Sequence, residues 1–399
     1  MSTRFGLWGV LLLVMLLASA SGCGSPAASL PPGITAETVT LAIKNGILID
    51  GTGADPVANV VVLIADNTIL AVGPNSKVNI PQGVRTIDAR GGAILPGFIN
   101  AHVHRGFNKD KLQAWAYGGV TTVRDETAST EQIAQLKTLR DEIGKDPNYA
   151  RLISAGTMLA VPGGYGDLFV SSPREAKKVV LSEIDKGVDA IKVALEDGYA
   201  GKHDLPKLTP EELKAIVSTA HAHDLPVSGH ITQGAYLQPM LEAGVDDIAH
   251  LPADFISPDS LQQMVQQGIY LTPTFTVFRN YGAPVETMRE NLRQFVELGG
   301  QVALGNDYGG GPGVFEPGIP MYEIEMMEEA GMTPMQVIVA CTLNGAHVLR
   351  IDQTVGSLVP GKDADILIVG GNPLEDLHTL AGVKVVIHAG VVIRNDLQE

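Results

Sequence analysis

Leu95-Pro96-Gly97-Phe98-Ile99-Asn100-Ala101-His102-Val103-His104 is the stretch whose reading decides the fold of this chain. An apolar run is broken by Pro-Gly, resumes, and ends in two imidazoles two residues apart. In a strand, positions i and i+2 share a face, so His102 and His104 can reach one metal ion together. A His-x-His pair alone is common by chance. Its weight comes from what surrounds it.

Working outward toward the C-terminus, strand patterns recur at Ile99–His104, Thr121–Asp125, Leu152–Ala155, Ala190–Leu195, Pro226–His230, Asp247–His250, Tyr270–Phe275 and Val302–Asp307. Helical periodicity lies between them, with recognisable starts. Thr209-Pro210-Glu211-Glu212 offers a capping hydroxyl, a proline at the first helical position and a glutamate at the third. Ser257-Pro258 and Thr333-Pro334 open helices in the same way. Eight strand-helix pairs within about 250 residues predict an α/β fold, a (β/α)8 TIM barrel over residues 96–354. A Rossmann arrangement lacks its glycine fingerprint here.

The two ends of the chain differ from this middle. Residues 38–95 are short, β-branched and turn-rich, with Asn45-Gly46 between apolar runs as a hairpin signal. The style returns over residues 355–399, in Ile366-Leu367-Ile368-Val369 and in Val383-Lys384-Val385-Val386-Ile387, followed by a turn at His388-Ala389-Gly390. One small β-sandwich built from both ends is expected, with the barrel as its insertion.

Residues 1–22 read as a lipoprotein signal peptide: Arg4 is followed by an apolar run from Leu7 to Ala18, too short for the ~20 residues that span a bilayer. Ala20-Ser21-Gly22-Cys23 resembles the bacterial lipobox, which makes Cys23 the lipidation site and the chain an exported bacterial lipoprotein, membrane-anchored and facing the periplasm or cell exterior. An uncleaved anchor helix or a plain signal peptide is the alternative. Residues 23–37, with three prolines among small residues, read as a tether. Cys341 is the only other cysteine, so an acylated Cys23 leaves no internal disulfide. With 45% hydrophobic and 18% charged residues the chain is an ordinary globular protein, and a net charge of −16 argues against nucleic acid or an anionic membrane surface as a partner. A homo-oligomer is compatible with this composition.

Barrels of this class carry their sites at the C-terminal ends of the strands. There the chain places His102 and His104 on the first strand, Lys192 on the fourth, His230 on the fifth, His250 on the sixth and Asp307 on the eighth. Each alone reads as a structural histidine or ion pair. Four imidazoles, a lysine and an aspartate converging on one mouth are costly to bury without a metal.

This order of residues, with a β-sandwich made from both termini, resembles the amidohydrolase superfamily over nearly all of residues 38–395. Leu95–His104, Gly119-Val120-Thr121-Thr122-Val123-Arg124-Asp125, the run from Glu242 to His250 and the run from Gly356 to Asp365 carry the likeness. They are most similar to the branch of imidazolonepropionase-like proteins and metal-dependent dipeptidases acting on Xaa-Pro or Xaa-Arg. The resemblance implies two divalent metal ions, zinc being the expected one. His102, His104 and Asp307 would hold one, His230 and His250 the other, with a carbamate on Lys192 bridging them. A hydroxide between the metals would attack a carbonyl while Asp307 carries the proton to the leaving nitrogen. The expected activity is hydrolysis of a carbon–nitrogen bond in a small amide or dipeptide. A lactonase or phosphotriesterase with the same site, or a non-catalytic binding lipoprotein, are the alternatives.

Asn100, Ala249 and Asn306 depart from the usual Asp, Glu and Thr or Ser, and Tyr165 stands where relatives often carry His. Tyr165 and His203 are candidate substrate contacts, although Tyr165 as a packing residue is an equal reading. Arg124 and Asp125 either bind substrate or form a buried ion pair. His221, His223, His347, His378 and His388 are expected to be structural.

Overall fold

The computed structural model describes residues 35, 37–198, 203–313 and 315–397. The signal peptide, Cys23 and nearly all of the tether lie outside the described residues. Among those described, no helix is long and apolar enough to cross a membrane.

Strands from the two ends of the chain pair into one continuous eight-stranded sheet. Its order is Val391–Asn395, Val383–His388, Ile366–Val369, Ala93–Pro96, Leu41–Leu48, Val57–Ala65 and Thr68–Pro74, with Thr86–Asp88 also beside Leu41–Leu48. Alternation divides its side chains between its two faces, which feed three apolar clusters, one of them formed by Ala42, Val61, Leu63 and Ala71. Ile94, Ile366 and Ile368 enter one with Val60, Val62 and Ile64, while Ala93, Leu95, Leu367 and Val369 face the large central core. The turn at Ala389-Gly390 is a two-residue hairpin: both residues have positive φ, and His388 pairs with Val391.

Asn45-Gly46 is not a hairpin turn. Leu41–Leu48 runs on as one strand, with register shifts at Lys44/Gly46 and Gly46/Leu48. The dipeptide is a bulge, Asn45 at φ 58° and its side chain donating to Asp88 Oδ2 at 2.8 Å. A Cβ on Gly46 would stand 2.5 Å from Ile94 Cδ1, so the neighbouring strand also requires glycine there.

The middle of the chain forms parallel sheets. One holds Phe98–Val103, Val120–Asp125 and Arg151–Ser154; the other runs Leu168–Phe169, Leu159–Ala160, Ile191–Ala194, Val227–His230, Asp247–Ala249 and Tyr270–Thr272. Ala190 N and Lys192 N donate to Ser154 and Ala155 carbonyls between the two sheets. The eighth segment expected as a strand, Val302–Asp307, is irregular. It bridges Leu271 at Val302 and Val103 at Tyr308, and Ala101 N donates to Leu304 O at 2.7 Å. Asp307 at φ 52° breaks its extended run. The seventh strand is likewise shorter than expected: Thr274 turns left-handed at φ 57°, and Phe275 starts a helix, Phe275–Asn280.

The helix starts are those expected. Thr209 and Glu212 form a reciprocal capping box before Pro210–His221, Thr333 and Gln336 do so before Pro334–Cys341, and the Ser257 hydroxyl accepts from Ser260 N.

Candidate metal centre and active site

Because all paired strands in the middle sheets are parallel, their C-terminal ends lie on one edge. His102, His104, Lys192, His230, His250 and Asp307 all line a single cavity of about 520 Å³ there. The rings of His102 and His250 are 4.7 Å apart and those of His230 and His250 4.6 Å. Asp307 Oδ1 stands 2.7 Å from His104 Nε2 and 3.3 Å from His102 Nε2, contacts that lack hydrogen-bond angles. Donor atoms of His102, His250 and Asp307 fall within 4.8 Å of one another, close enough for one cation.

Backbone strain gathers at the same place. His250 has φ 147°, Thr274 φ 57° and Asp307 φ 52°. For a β-branched threonine this is a genuine outlier, and such residues cost about 1–3 kcal/mol each. The conformation brings Thr274 Oγ1 within 2.8 Å of His250 Nδ1 and so fixes the ring's direction. Only glycine fits at position 310, where a Cβ would meet Asp307 Oδ1 at 2.0 Å.

Burial pushes the His102 ring down to about 4, with Lys192 adding to the effect. Burial likewise lowers His230 and takes His250 well below its ordinary value, helped there by the neighbouring imidazoles. These three rings are neutral and offer lone pairs. Burial also pulls on His104, but Asp307 outweighs it and raises that ring. Asp307 itself is held well below the usual carboxylate range, its burial overcome by His102 and His104.

The donor set fits a divalent cation. His102 Nδ1, His230 Nε2 and Asp307 Oδ1 are buried without a hydrogen-bond partner, a cost that ligation of the group removes. Nitrogen and carboxylate oxygen suit zinc and its first-row neighbours.

Lys192 lines the cavity, but its ammonium is engaged. Its Nζ lies 2.6 Å from Glu126 Oε2, in a contact that is fully buried. Glu126 also touches Arg124, whose guanidinium grips Asp247 through two bonds of 2.9 and 2.8 Å. Arg124 therefore belongs to a buried ion network, and Asp125 accepts from Gly106 N at 2.6 Å. Burial raises Asp125 to about 7, against the pull of His104 and the Gly106 amide. Asn100 Nδ2 donates to Asn306 Oδ1 at 2.9 Å, so two of the three departures from the usual residues are one buried pair.

Tyr165 stacks on His230 at 4.6 Å and lines the cavity, whereas His203 is exposed and does not. An adjoining cavity of about 320 Å³ shares Tyr165, His230, His250 and Asp307 and adds an apolar wall of Val277, Phe278 and Ala253. His221 pairs with Asp246 away from the cavity, and His388 with the Pro147 carbonyl.

Glu126, Thr274, Phe278 and Glu196 were not singled out from sequence. Glu126 had a signal, since it follows Arg124 by two and shares its face. Glu196, whose Oε2 lies 3.6 Å from His230 Nε2, follows the fourth strand directly.

The Amidohydrolase family profile matches residues 93–393. The chain belongs to that family. As an amidohydrolase of the imidazolonepropionase and Xaa-Pro dipeptidase branch, it is a hydrolase acting on carbon–nitrogen bonds. It is 26% identical to ochratoxinase from Aspergillus niger, across 89% of this chain and 86% of that one. With imidazolonepropionase from Symbiobacterium thermophilum the identity is 25%, over 76% and 82% of the two chains. A crystal structure of a Xaa-Pro dipeptidase with methionine bound in its active site superposes with a TM-score of 0.78 at 26% identity, covering 89% of this amidohydrolase and all of that chain.

Proposed function

We propose that this protein is a metal-dependent enzyme that hydrolyses the amide or peptide-like bond of a small substrate carrying an apolar group beside the scissile carbonyl. The observation that carries this reading is the convergence of His102, His230, His250 and Asp307 on one cavity with buried donor atoms left without partners. The fold is read as a closed (β/α)8 barrel inserted into the terminal sheet, which is what brings strands distant in sequence to one mouth.

His102, His104, His230, His250 and Asp307 would hold the metal, with zinc the expected ion. When bound, a divalent cation supplies Lewis acidity that makes water nucleophilic near neutral pH and polarises a carbonyl. Asp307, an ionised carboxylate in the cavity wall, accepts the proton of the attacking water and returns it to the leaving nitrogen. Thr274 keeps His250 in place. Tyr165 covers His230, and the wall of Val277 and Phe278 receives the apolar part of the substrate and excludes water from it. With Lys192 as a carbamate, the same residues would hold two cations, His102, His104 and Asp307 one and His230 and His250 the other. Cys23 as a lipid-bearing N-terminus would place the enzyme on the outer side of a membrane.

The test is hydrolysis of a panel of N-acyl amino acids and dipeptides with apolar and polar side chains, alongside lactone and phosphotriester controls, before and after chelation. Cleavage of apolar amides that chelator abolishes and zinc restores is the expected result. Amide cleavage that persists in chelator, or turnover confined to the ester controls, overturns the proposal.

A further inference from the structure

We infer that Glu323 is a positioning residue of the site: by capping the amides that follow Thr274, it frees the Thr274 hydroxyl to hold His250 as the tautomer that offers Nε2. The inference rests on the metal-dependent reading above only for what His250 Nε2 binds.

The short helix Phe275–Asn280 begins without the cap its sequence offers. Thr274 stands at the N-cap position, where a threonine hydroxyl ordinarily accepts from an amide of the first turn. It makes no such bond. Its backbone is left-handed, and its Oγ1 lies 2.8 Å from His250 Nδ1 instead. With that hydroxyl committed to the imidazole, the first amides of a buried helix end need other acceptors.

Glu323 supplies them from a separate element. It lies in the first turn of the helix Met321–Glu329, 49 positions beyond Thr274. Its Oε2 accepts from Phe275 N at 3.0 Å and its Oε1 from Thr276 N at 2.5 Å, so both carboxylate oxygens are taken by the two residues that follow Thr274. Arg279, one turn further on, lays its guanidinium over the Tyr322 ring, 3.8 Å from its centre, rather than pairing with the buried carboxylate. Burial lifts that carboxyl to about 7, with the Thr276 and Phe275 amides and Arg279 pulling the other way.

A buried acid is an expensive start for a helix of six residues that a threonine cap could begin alone. What the exchange gains is the Thr274 hydroxyl. When His250 donates its Nδ1–H to that oxygen, the ring is fixed with Nε2 as its lone-pair nitrogen. The same helix carries Val277 and Phe278 on the wall of the apolar cavity, so the Glu323 carboxylate anchors an imidazole and a substrate wall through one turn of backbone.

The test is 15N NMR of the histidine-labelled, metal-free enzyme, with zinc affinity measured beside it by competition with a chromophoric chelator. Wild type is expected to show His250 as the Nδ1–H tautomer, its signals assigned by their absence from His250→Gln. Glu323→Gln keeps the size of the side chain but turns an NH2 group toward a backbone amide. It is expected to lose the single tautomer and to bind zinc about 10–100-fold more weakly. In a Thr274→Gly background the same change is expected to cost nothing further, because the hydroxyl it acts through is gone. If Glu323→Gln does not fold, Glu323→Asp, one methylene shorter, takes its place with the same expectations. Losses that add in the double variant give Glu323 a merely structural role and overturn the inference. So does a Glu323 variant with the tautomer and zinc affinity of wild type, and so does wild-type His250 with its proton on Nε2, a result that needs no variant to fold. Wild type that binds no zinc sinks the metal-dependent reading instead, while the His250 tautomers still decide the role of Glu323.

Discussion

The terminal sheet and the C-terminal edge of the parallel strands are built on opposite terms. In the sheet, side chains alternate between two apolar faces, and left-handed residues such as Asn45, Asp66 and Ala389 sit at its bulge and turns. At the edge, His250, Thr274 and Asp307 are left-handed in the very segments that carry donor atoms, and Arg124, Glu126, Lys192 and Asp247 are buried together. One region contributes stability through apolar burial. The other holds strain and charge in place, at a cost the rest of the fold offsets.

Substitutions that separate activity from stability test this contrast. The largest effect is expected for Asp307→Asn: loss of the proton carrier should lower kcat by about 10²–10⁴-fold while thermal unfolding shifts little. Steady-state kinetics beside calorimetry read both, and turnover within a few-fold of wild type would remove Asp307 from the chemistry. Next comes Ile368→Ala in the sheet, whose side chain is fully buried in the second apolar cluster. A loss of about 2–5 kcal/mol in denaturant unfolding with kcat per folded molecule unchanged is expected. A matching fall in kcat would show that the sheet reaches into the site. Smallest is Thr274→Gly, which relieves the left-handed strain but deletes the hydrogen bond to His250. Activity or zinc affinity should drop about 10–100-fold while unfolding changes by no more than about 1 kcal/mol. If the variant is fully active and more stable, the strain at Thr274 serves no purpose in the site.

How far the chain could be read from its residues differs between these regions too. Apolar alternation in Ile366-Leu367-Ile368-Val369 is a local property, and the strand appears where the pattern puts it. Asn45-Gly46 carries an equally local signal, yet it forms a bulge, because the close approach of Ile94 is a contact between strands that no window of sequence contains. At the site, the sequence pointed to His102, His104, Lys192, His230, His250 and Asp307, and all six line one cavity, although Asp307 lies in an irregular segment and Lys192 within its strand. Lys192 was legible as a resident of the cavity but not as the partner of Glu126. That pairing joins residues 66 positions apart, one on a strand and one just past the end of another, and the residue type alone leaves an ammonium and a carbamate equally open.

The sequence by itself determined the alternation of strands and helices, the capped helix starts and the set of imidazoles and carboxylates available for catalysis, because periodicity, capping chemistry and donor type are carried by neighbouring residues. Only the tertiary structure decided which carboxylate meets which cation. Inside the buried network, Arg124, Glu126, Lys192 and Asp247 meet from segments distant in the chain, so their pairing is set by strand packing that no local window of sequence contains.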